Sequence, residues 1–174
     1  MKNRTLRQIT AAGVIAAAYA ALSLVLASTT FGPVQCRISE ALTLLPVISP
    51  AAIWGVTLGC AVTNGVGAAT GTNFLGLVDL PVGTAATLLA AVATRLLGKI
   101  RFGGLPWLSA LPPILFNAVA IGGEWCYAMT GSINGAFWVF AGQIALGQLP
   151  PCLLGVWLVG LLERRSLQTI IEGK

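Results

Sequence analysis

The feature that most constrains this sequence is the alternation of long apolar runs with short basic stretches. Nine of the ten Lys and Arg residues lie at the N-terminus, in the middle or at the C-terminus: Lys2, Arg4, Arg7, Arg95, Lys99, Arg101, Arg164, Arg165 and Lys174. Membrane proteins keep their basic loops in the cytoplasm, so the three stretches belong on one side of a bilayer. The sequence therefore predicts a multi-pass membrane protein with both termini cytoplasmic.

Composition supports this interpretation and narrows the functions. The 174 residues are 56% hydrophobic and 9% charged, with a mean hydropathy of +0.87, whereas soluble domains are roughly 25% charged. We expect one transmembrane domain over residues 1–174. The net charge of +5 suits anionic lipid head groups better than nucleic acid, because no stretch interleaves basic and aromatic residues.

The sequence also excludes most catalytic chemistry. It contains no histidine, and its four cysteines lack the close pairing of metal sites: Cys36, Cys60, Cys126 and Cys152. No activated nucleophile is apparent, and no phosphate-binding G-x-x-x-x-G-K-[ST] motif occurs. We expect a protein that is not an enzyme, holds no metal and no cofactor, and takes any ATP-derived energy from partners.

Five apolar runs approach the 20 or so residues that a transmembrane helix needs: 9–27, 51–69, 80–97, 107–129 and 137–162. The first run, with its basic start, partly resembles a signal peptide but is longer than the usual apolar core. A shorter run, 38–48, must also cross if all basic stretches are to share one side. The predicted fold is thus an all-α, six-helix transmembrane bundle. Pro112 and Pro113 predict a later start for the fifth helix, and Pro150 with Pro151 a kink in the sixth.

Polar side chains within these runs share one depth. Ionisable groups in a membrane are expensive and usually functional. At 1.5 Å rise per residue, these polar groups fall in the outer half of the bundle, except Asn117, which lies nearer mid-membrane. Their common depth predicts a ligand cavity that opens to the outside. The candidate binding residues are Arg37, Glu40, Asn64, Asp79, Asn117, Glu124, Trp125 and Gln143.

Several of these residues have plainer explanations. Arg37 and Glu40 are three apart, the spacing of a helical ion pair, although we expect Arg37 to orient Glu40 for ligand. Asp79 precedes a predicted helix and could be its N-cap. Trp125, with Trp138 and Tyr127 near it, either offers a stacking surface or belongs to the interfacial belt. Glu124 is different, because no cation lies three or four residues away, so its carboxylate needs a ligand or a distant partner.

The first helix carries a stripe of small residues. Ala12, Ala16 and Ala20 recur every four positions, which allows close approach of another helix. That helix could belong to the same bundle. Because alanine fills seven of the eleven positions 11–21, more than one internal contact would use, we expect the stripe to dock a partner protein.

The chain resembles the QueT family in several segments. These are R-I-S-E-A-L-T-L-L-P at 37–46, Leu58-Gly59-Cys60 followed by Asn64, and Asp79 followed by G-T-A-A-T at 83–87. The resemblance implies a substrate-binding S component of an energy-coupling-factor (ECF) transporter in a prokaryotic cell membrane. It further implies an outward-facing pocket for queuosine precursors. The expected partners are a transmembrane coupling subunit, docked through the alanine motif, and two ATPase subunits.

The charges of the cavity agree with such a ligand. Arg37 faces Glu40, Asp79 and Glu124, one positive and three negative charges, a net of −2 that suits a cation. A 7-aminomethyl-7-deazaguanine brings an ammonium and adjacent N–H donors that a carboxylate can accept in pairs. An S component for another heterocyclic vitamin remains an alternative. So does a self-contained secondary transporter, although the internal repeats typical of that class are absent from the sequence.

Overall fold

The computed structural model describes residues 2–32 and 34–164, and within them the chain is helical with no β-strand. Arg165 and Lys174 of the third basic stretch lie outside the described residues. Five long helices confirm the five apolar runs. They are α1 (Lys2–Val25), α3 (Ala51–Ala69), α4 (Asp79–Leu97), α5 (Leu111–Thr130) and α6 (Phe137–Arg164), with a short α2 (Ala27–Thr30) after the first.

The short apolar run folds as a 3-10 helix, η1 (Ile38–Val47), rather than as an α-helix. At about 2.0 Å rise per residue, it extends roughly 20 Å. At its end Arg95, in the last turn of α4, donates a 2.8 Å hydrogen bond to the carbonyl of Pro46. The all-α class is therefore confirmed, while the count of six transmembrane helices stays a prediction that depends on η1.

Within the described residues, four segments are long and apolar enough to cross a membrane: Asn3–Val25, Ala51–Ala69, Gly76–Leu97 and Phe137–Arg164. The 20-residue α5 is less apolar, since Pro112, Pro113, Asn117 and Glu124 lie within it. The structure thus supports a multi-pass membrane protein.

Proline lies at the start of α5, as the sequence predicted, and glycine lies at its end. Pro112 and Pro113 lie in its first turn, where a missing N–H is tolerated, so the helix begins later than its apolar run. It ends at Gly131, whose φ of 74° is the left-handed conformation that glycine adopts readily at a helix end. In α6, the helix continues through Pro150 and Pro151.

Apart from Arg37, the described basic residues gather at one end of the bundle, which we call the basic end. The first turns of α1 and α3 lie at this end because the two helices pack in parallel, with Ile15 beside Gly55 and Tyr19 beside Gly59. The loop after α4 reaches it too, since Arg101 pairs with Glu163 in the last turn of α6 at 2.8 Å. The one-sided arrangement predicted from the charges is therefore present, and Arg37 and Asp79 lie toward the opposite end.

The alanine stripe of α1 packs inside the bundle, which corrects the expectation of a free docking face. Ala12 and Ala20 are buried, and Ala16 is partly buried. A Cβ atom added to Gly59 would lie 2.7 Å from Cβ of Tyr19 and 3.0 Å from the carbonyl of Ala16. The physical reason is that α3 has glycines at the same four-residue spacing, so the two small-residue stripes fit against each other.

Candidate ligand-binding site

A buried ion pair between Arg37 and Asp79 organises the end of the bundle opposite the basic end. Nη2 of Arg37 lies 3.4 Å from Oδ2 of Asp79 and donates to Oδ1 of Asn64 at 3.2 Å. Its Nε donates to the carbonyl of Thr30, and its guanidinium lies 5.3 Å from the ring centre of Phe31. Arg37 is thus held by four residues from three parts of the chain, and its charge is balanced within the protein.

This pairing corrects the expectation that Arg37 orients Glu40. Arg37 precedes η1 with φ −90° and ψ 105°, an extended conformation, so the helical spacing of ion pairs does not apply to it. Its side chain extends toward α3 and α4, where Asn64 and Asp79 lie. Both the predicted orienting role and the simple Arg37–Glu40 ion pair are therefore wrong.

Asp79 joins three segments through its carboxylate and its backbone. Asn73 donates to its Oδ2 at 2.8 Å, and Asn64 donates to its carbonyl at 2.9 Å. Asp79 is the first residue of α4 and Val78 occupies the N-cap position, so the N-cap alternative is also wrong. A Cβ atom on Gly83 would lie 2.5 Å from Oδ1 of Asp79, and that buried oxygen has no partner among the described residues. Glycine at position 83 keeps the space beside this oxygen open.

Glu40 is bound on one oxygen only. Tyr19 of α1 donates a 2.6 Å hydrogen bond to Oε1, and the side chain of Asn117 lies close enough to interact. The other oxygen, Oε2, is buried without a partner in the described part of the chain. A carboxylate held rigidly by one oxygen leaves the second as an acceptor for a ligand.

Glu124 has no protein partner on either carboxylate oxygen among the described residues, although both oxygens are buried. It lies near enough to Asp79 and Arg37 to interact with them electrostatically. A cavity of about 290 Å³ opens beside it, lined by Leu75, Val78, Gly123, Glu124, Tyr127, Ala128 and Ile133. No residue of the ranges 2–32 and 34–164 hydrogen-bonds to this carboxylate, and the cavity offers a place for a cationic ligand to enter.

Trp125 forms the centre of an aromatic stack. Phe74, from the loop before α4, stacks on it at 5.1 Å between ring centres and 12° between planes, and Phe140 of α6 lies 6.4 Å from it. The indole Nε1 is buried without a partner in the described ranges. Trp138 and Tyr127 are 76% and 64% exposed. This exposure is compatible with the interfacial-belt interpretation of Trp138, while Tyr127 lines the cavity beside Glu124.

The structure adds residues that the sequence did not reveal. Oε1 of the predicted residue Gln143 is buried without a partner among residues 2–32 and 34–164, and so are polar atoms of Gln148, Gln35 and Thr84, which were not predicted. Gln148 could have been identified from the sequence as a candidate site residue, because it is an amide within an apolar run, as Gln143 is. Tyr19 could have been found as the one aromatic residue of an alanine-rich helix. Gln35 and Phe74 lie in loops with no distinguishing pattern.

A family model described as QueT transporter matches residues 9–164. The chain belongs to the QueT transporter family. This is a family of transporters and not of enzymes, and the match confirms the resemblance found in the motifs. No curated protein and no solved structure matches the chain.

In this QueT transporter, the charges at the candidate site are distributed unevenly. Arg37 forms its close ion pair with Asp79, which leaves the carboxylates of Glu40 and Glu124 without an ion pair of their own in the described part of the chain. The described residues contain no group of three or more Cys, Asp or Glu that could hold a metal ion. Buried polar atoms are nearly always hydrogen-bonded, so unpartnered carboxylate, amide and indole atoms around a flat aromatic surface are the features of a binding site for a polar, planar molecule.

Proposed function

We propose that this chain is the substrate-binding S component of an ECF-type importer that captures a queuosine precursor. The ligand is a 7-deazaguanine such as 7-aminomethyl-7-deazaguanine (preQ1) or queuine. Membership of a transporter family supports the general role. In this proposal the chain lies in a prokaryotic cell membrane with the basic end in the cytoplasm, where anionic lipids and positive loops meet.

The observation that carries the proposal is the set of unpartnered polar atoms at the end opposite the basic end. Glu40 Oε2, both oxygens of Glu124 and Trp125 Nε1 are buried without partners among the described residues. Leaving each such group unsatisfied costs about 1 to 3 kcal/mol. A ligand that supplies donors to the carboxylates and an acceptor to the indole would remove that cost.

The chemistry of a 7-deazaguanine matches these groups. Its flat ring system can stack on Trp125, either by displacing Phe74 or after Phe74 has moved away. Its aminomethyl group carries a positive charge, for which Glu124 offers two free oxygens beside an open cavity. Its exocyclic amine can donate to Oε2 of Glu40, whose other oxygen is occupied by Tyr19.

The proposal also requires partners to supply energy. The sequence contains no phosphate-binding loop, so ATP hydrolysis would take place in two ATPase subunits and reach this chain through a transmembrane coupling subunit. Uptake of labelled precursor should then need co-expression of that module. Uptake by this chain alone, in cells lacking any ECF module, would favour the secondary-transporter alternative.

Calorimetric titration of the purified chain with two ligands tests the ligand assignment. The parent should bind 7-aminomethyl-7-deazaguanine more tightly than 7-deazaguanine, which lacks the ammonium. Glu124→Gln should remove most of that preference, because a charge-assisted hydrogen bond contributes about 1.5 to 3 kcal/mol. Glu163→Gln removes a carboxylate at the basic end and should leave both affinities unchanged. A full preference in Glu124→Gln would show that the ammonium binds elsewhere.

A further inference from the structure

Gln35, two residues before Arg37, is held in a strained backbone conformation. Among the described residues it is the only non-glycine with a positive φ, 45°. That region is sparsely populated for residues with a Cβ, and such strain persists only where the surrounding structure enforces it, most often at functional sites. Gln35 is also almost fully buried, with 2% of its surface exposed.

Helix α6 enforces this conformation. The carbonyl oxygen of Val34 occupies the space that a Cβ atom on Gly147 would need, so glycine allows the loop to press against the helix. The next residue of α6, Gln148, donates from Nε2 to the carbonyl of Gln35 at 3.4 Å. The same carbonyl accepts from the backbone N–H of Arg37 at 3.0 Å. Loop and helix are therefore locked together at this point.

The two glutamines together have one hydrogen-bond donor and one acceptor without a partner among the described residues. Nε2 of Gln35 and Oε1 of Gln148 are both buried without partners in residues 2–32 and 34–164. The orientation of the Gln148 amide is fixed, because a backbone carbonyl can only accept and so must face Nε2. Its Oε1 is then an acceptor that cannot be exchanged for a donor by rotating the amide.

We propose that Gln35 and Gln148 form a recognition subsite for a cyclic amide edge, in which a ring N–H lies next to a ring C=O. The ring N–H donates to Oε1 of Gln148, and the ring carbonyl accepts from Nε2 of Gln35. This inference rests on the proposed function and adds the hydrogen-bonding edge by which the ring is selected. It uses residues distinct from Glu124 and Trp125.

Two probes that differ only at this edge test the subsite. In 7-deazaguanine the edge is an N–H and a carbonyl, whereas in 2,6-diamino-7-deazapurine it is a bare ring nitrogen and an amine. The parent should bind 7-deazaguanine at least about tenfold more tightly, because the second probe would place an acceptor against Oε1 of Gln148. Gln148→Met should reduce that ratio to near one. Gln8→Met, at the basic end of α1, should leave the ratio unchanged.

Gln35→Gly separates ligand recognition from a structural role. Glycine adopts a positive φ without strain, so the melting temperature should not fall, while binding of 7-deazaguanine weakens about tenfold. If Gln35→Gly and Gln148→Met both keep the parent's preference and only the melting temperature changes, the amides bridge a buried water and the subsite is refuted. If the parent binds neither 7-deazaguanine nor its aminomethyl derivative, the proposed function itself fails, and the subsite fails with it.

Discussion

The hydroxyl of Tyr19 donates a buried hydrogen bond of 2.6 Å to Oε1 of Glu40, which joins α1 to the start of η1. A second buried contact, 2.6 Å between the hydroxyls of Ser23 and Ser39, lies one turn further along α1. One face of α1 packs on α3, whereas Leu6, Ile9, Val14 and Val25 are exposed. The carboxylate of Glu40 therefore connects the candidate ligand site directly to α1.

Tyr19→Phe should weaken ligand binding through Glu40. The substitution removes the donor and keeps the ring, so Glu40 loses the contact that fixes its free oxygen. We expect several-fold weaker binding in titrations with 7-aminomethyl-7-deazaguanine, and a loss of about 1 to 3 kcal/mol in the free energy of unfolding.

Ser23→Ala is the matched control for Tyr19→Phe, because it breaks the neighbouring α1–η1 contact without touching Glu40. It should reduce stability and leave the affinity near that of the parent. Equal losses of affinity in the two variants would mean that Tyr19 acts only by holding α1 in place.

Asp79→Ala should strongly destabilise the fold. It leaves the guanidinium of Arg37 buried without its counter-ion, and breaking a buried pair in this way costs about 3 to 5 kcal/mol. Arg101→Ala breaks the partly exposed pair with Glu163 and should cost less than about 1 kcal/mol. Thermal unfolding in one detergent compares the two variants, and similar melting temperatures would contradict the central role of Arg37 and Asp79.

Trp125→Leu should weaken binding of any planar ligand. Stacking of a base on an aromatic side chain contributes about 1 to 3 kcal/mol, so the dissociation constant should rise by roughly tenfold or more. Trp138→Leu replaces an exposed tryptophan of the same bundle end and serves as the control. Should the two variants bind equally well, the stack of Phe74, Trp125 and Phe140 would not be part of the site.

Gly59→Leu should separate α1 from α3. The added side chain would collide with Tyr19, and overpacking of this kind typically costs about 1 to 3 kcal/mol. Gly13→Ala is the control, because nothing lies within 4 Å of the added atom, and alanine should slightly stabilise the helix. A melting temperature of Gly59→Leu equal to that of the parent would show that the alanine stripe is not packed as described.

The helices were predictable because length and apolar content determine them. The run 51–69 became α3 with the same bounds, and the run 80–97 differs from α4 by one residue. The 3-10 character of η1 was not predictable, since a ten-residue segment is too short to distinguish a period of 3.0 from one of 3.6. Helical rise and chain direction were enough to predict which end of the bundle holds the polar side chains.

The partners within the site were not predictable from the sequence. Arg37 pairs with a residue 42 positions away, and its extended backbone invalidates the helical spacing from which Glu40 was favoured. The alanine stripe was misassigned because its counterpart, Gly55 and Gly59, becomes meaningful only when α1 and α3 are known to be neighbours. The strain at Gln35 is a backbone property that hydropathy and periodicity do not encode.

The most direct test of the central claim, that the end opposite the basic end binds a 7-deazaguanine, is native mass spectrometry of the purified chain. The protein would be mixed with an equimolar set of 7-aminomethyl-7-deazaguanine, queuine, riboflavin, thiamine and biotin. We predict one bound molecule with the mass of a 7-deazaguanine, lost in the Glu124→Gln and Trp125→Leu double variant. Retention of a different vitamin, or of no compound by a folded parent protein, would contradict the proposed ligand.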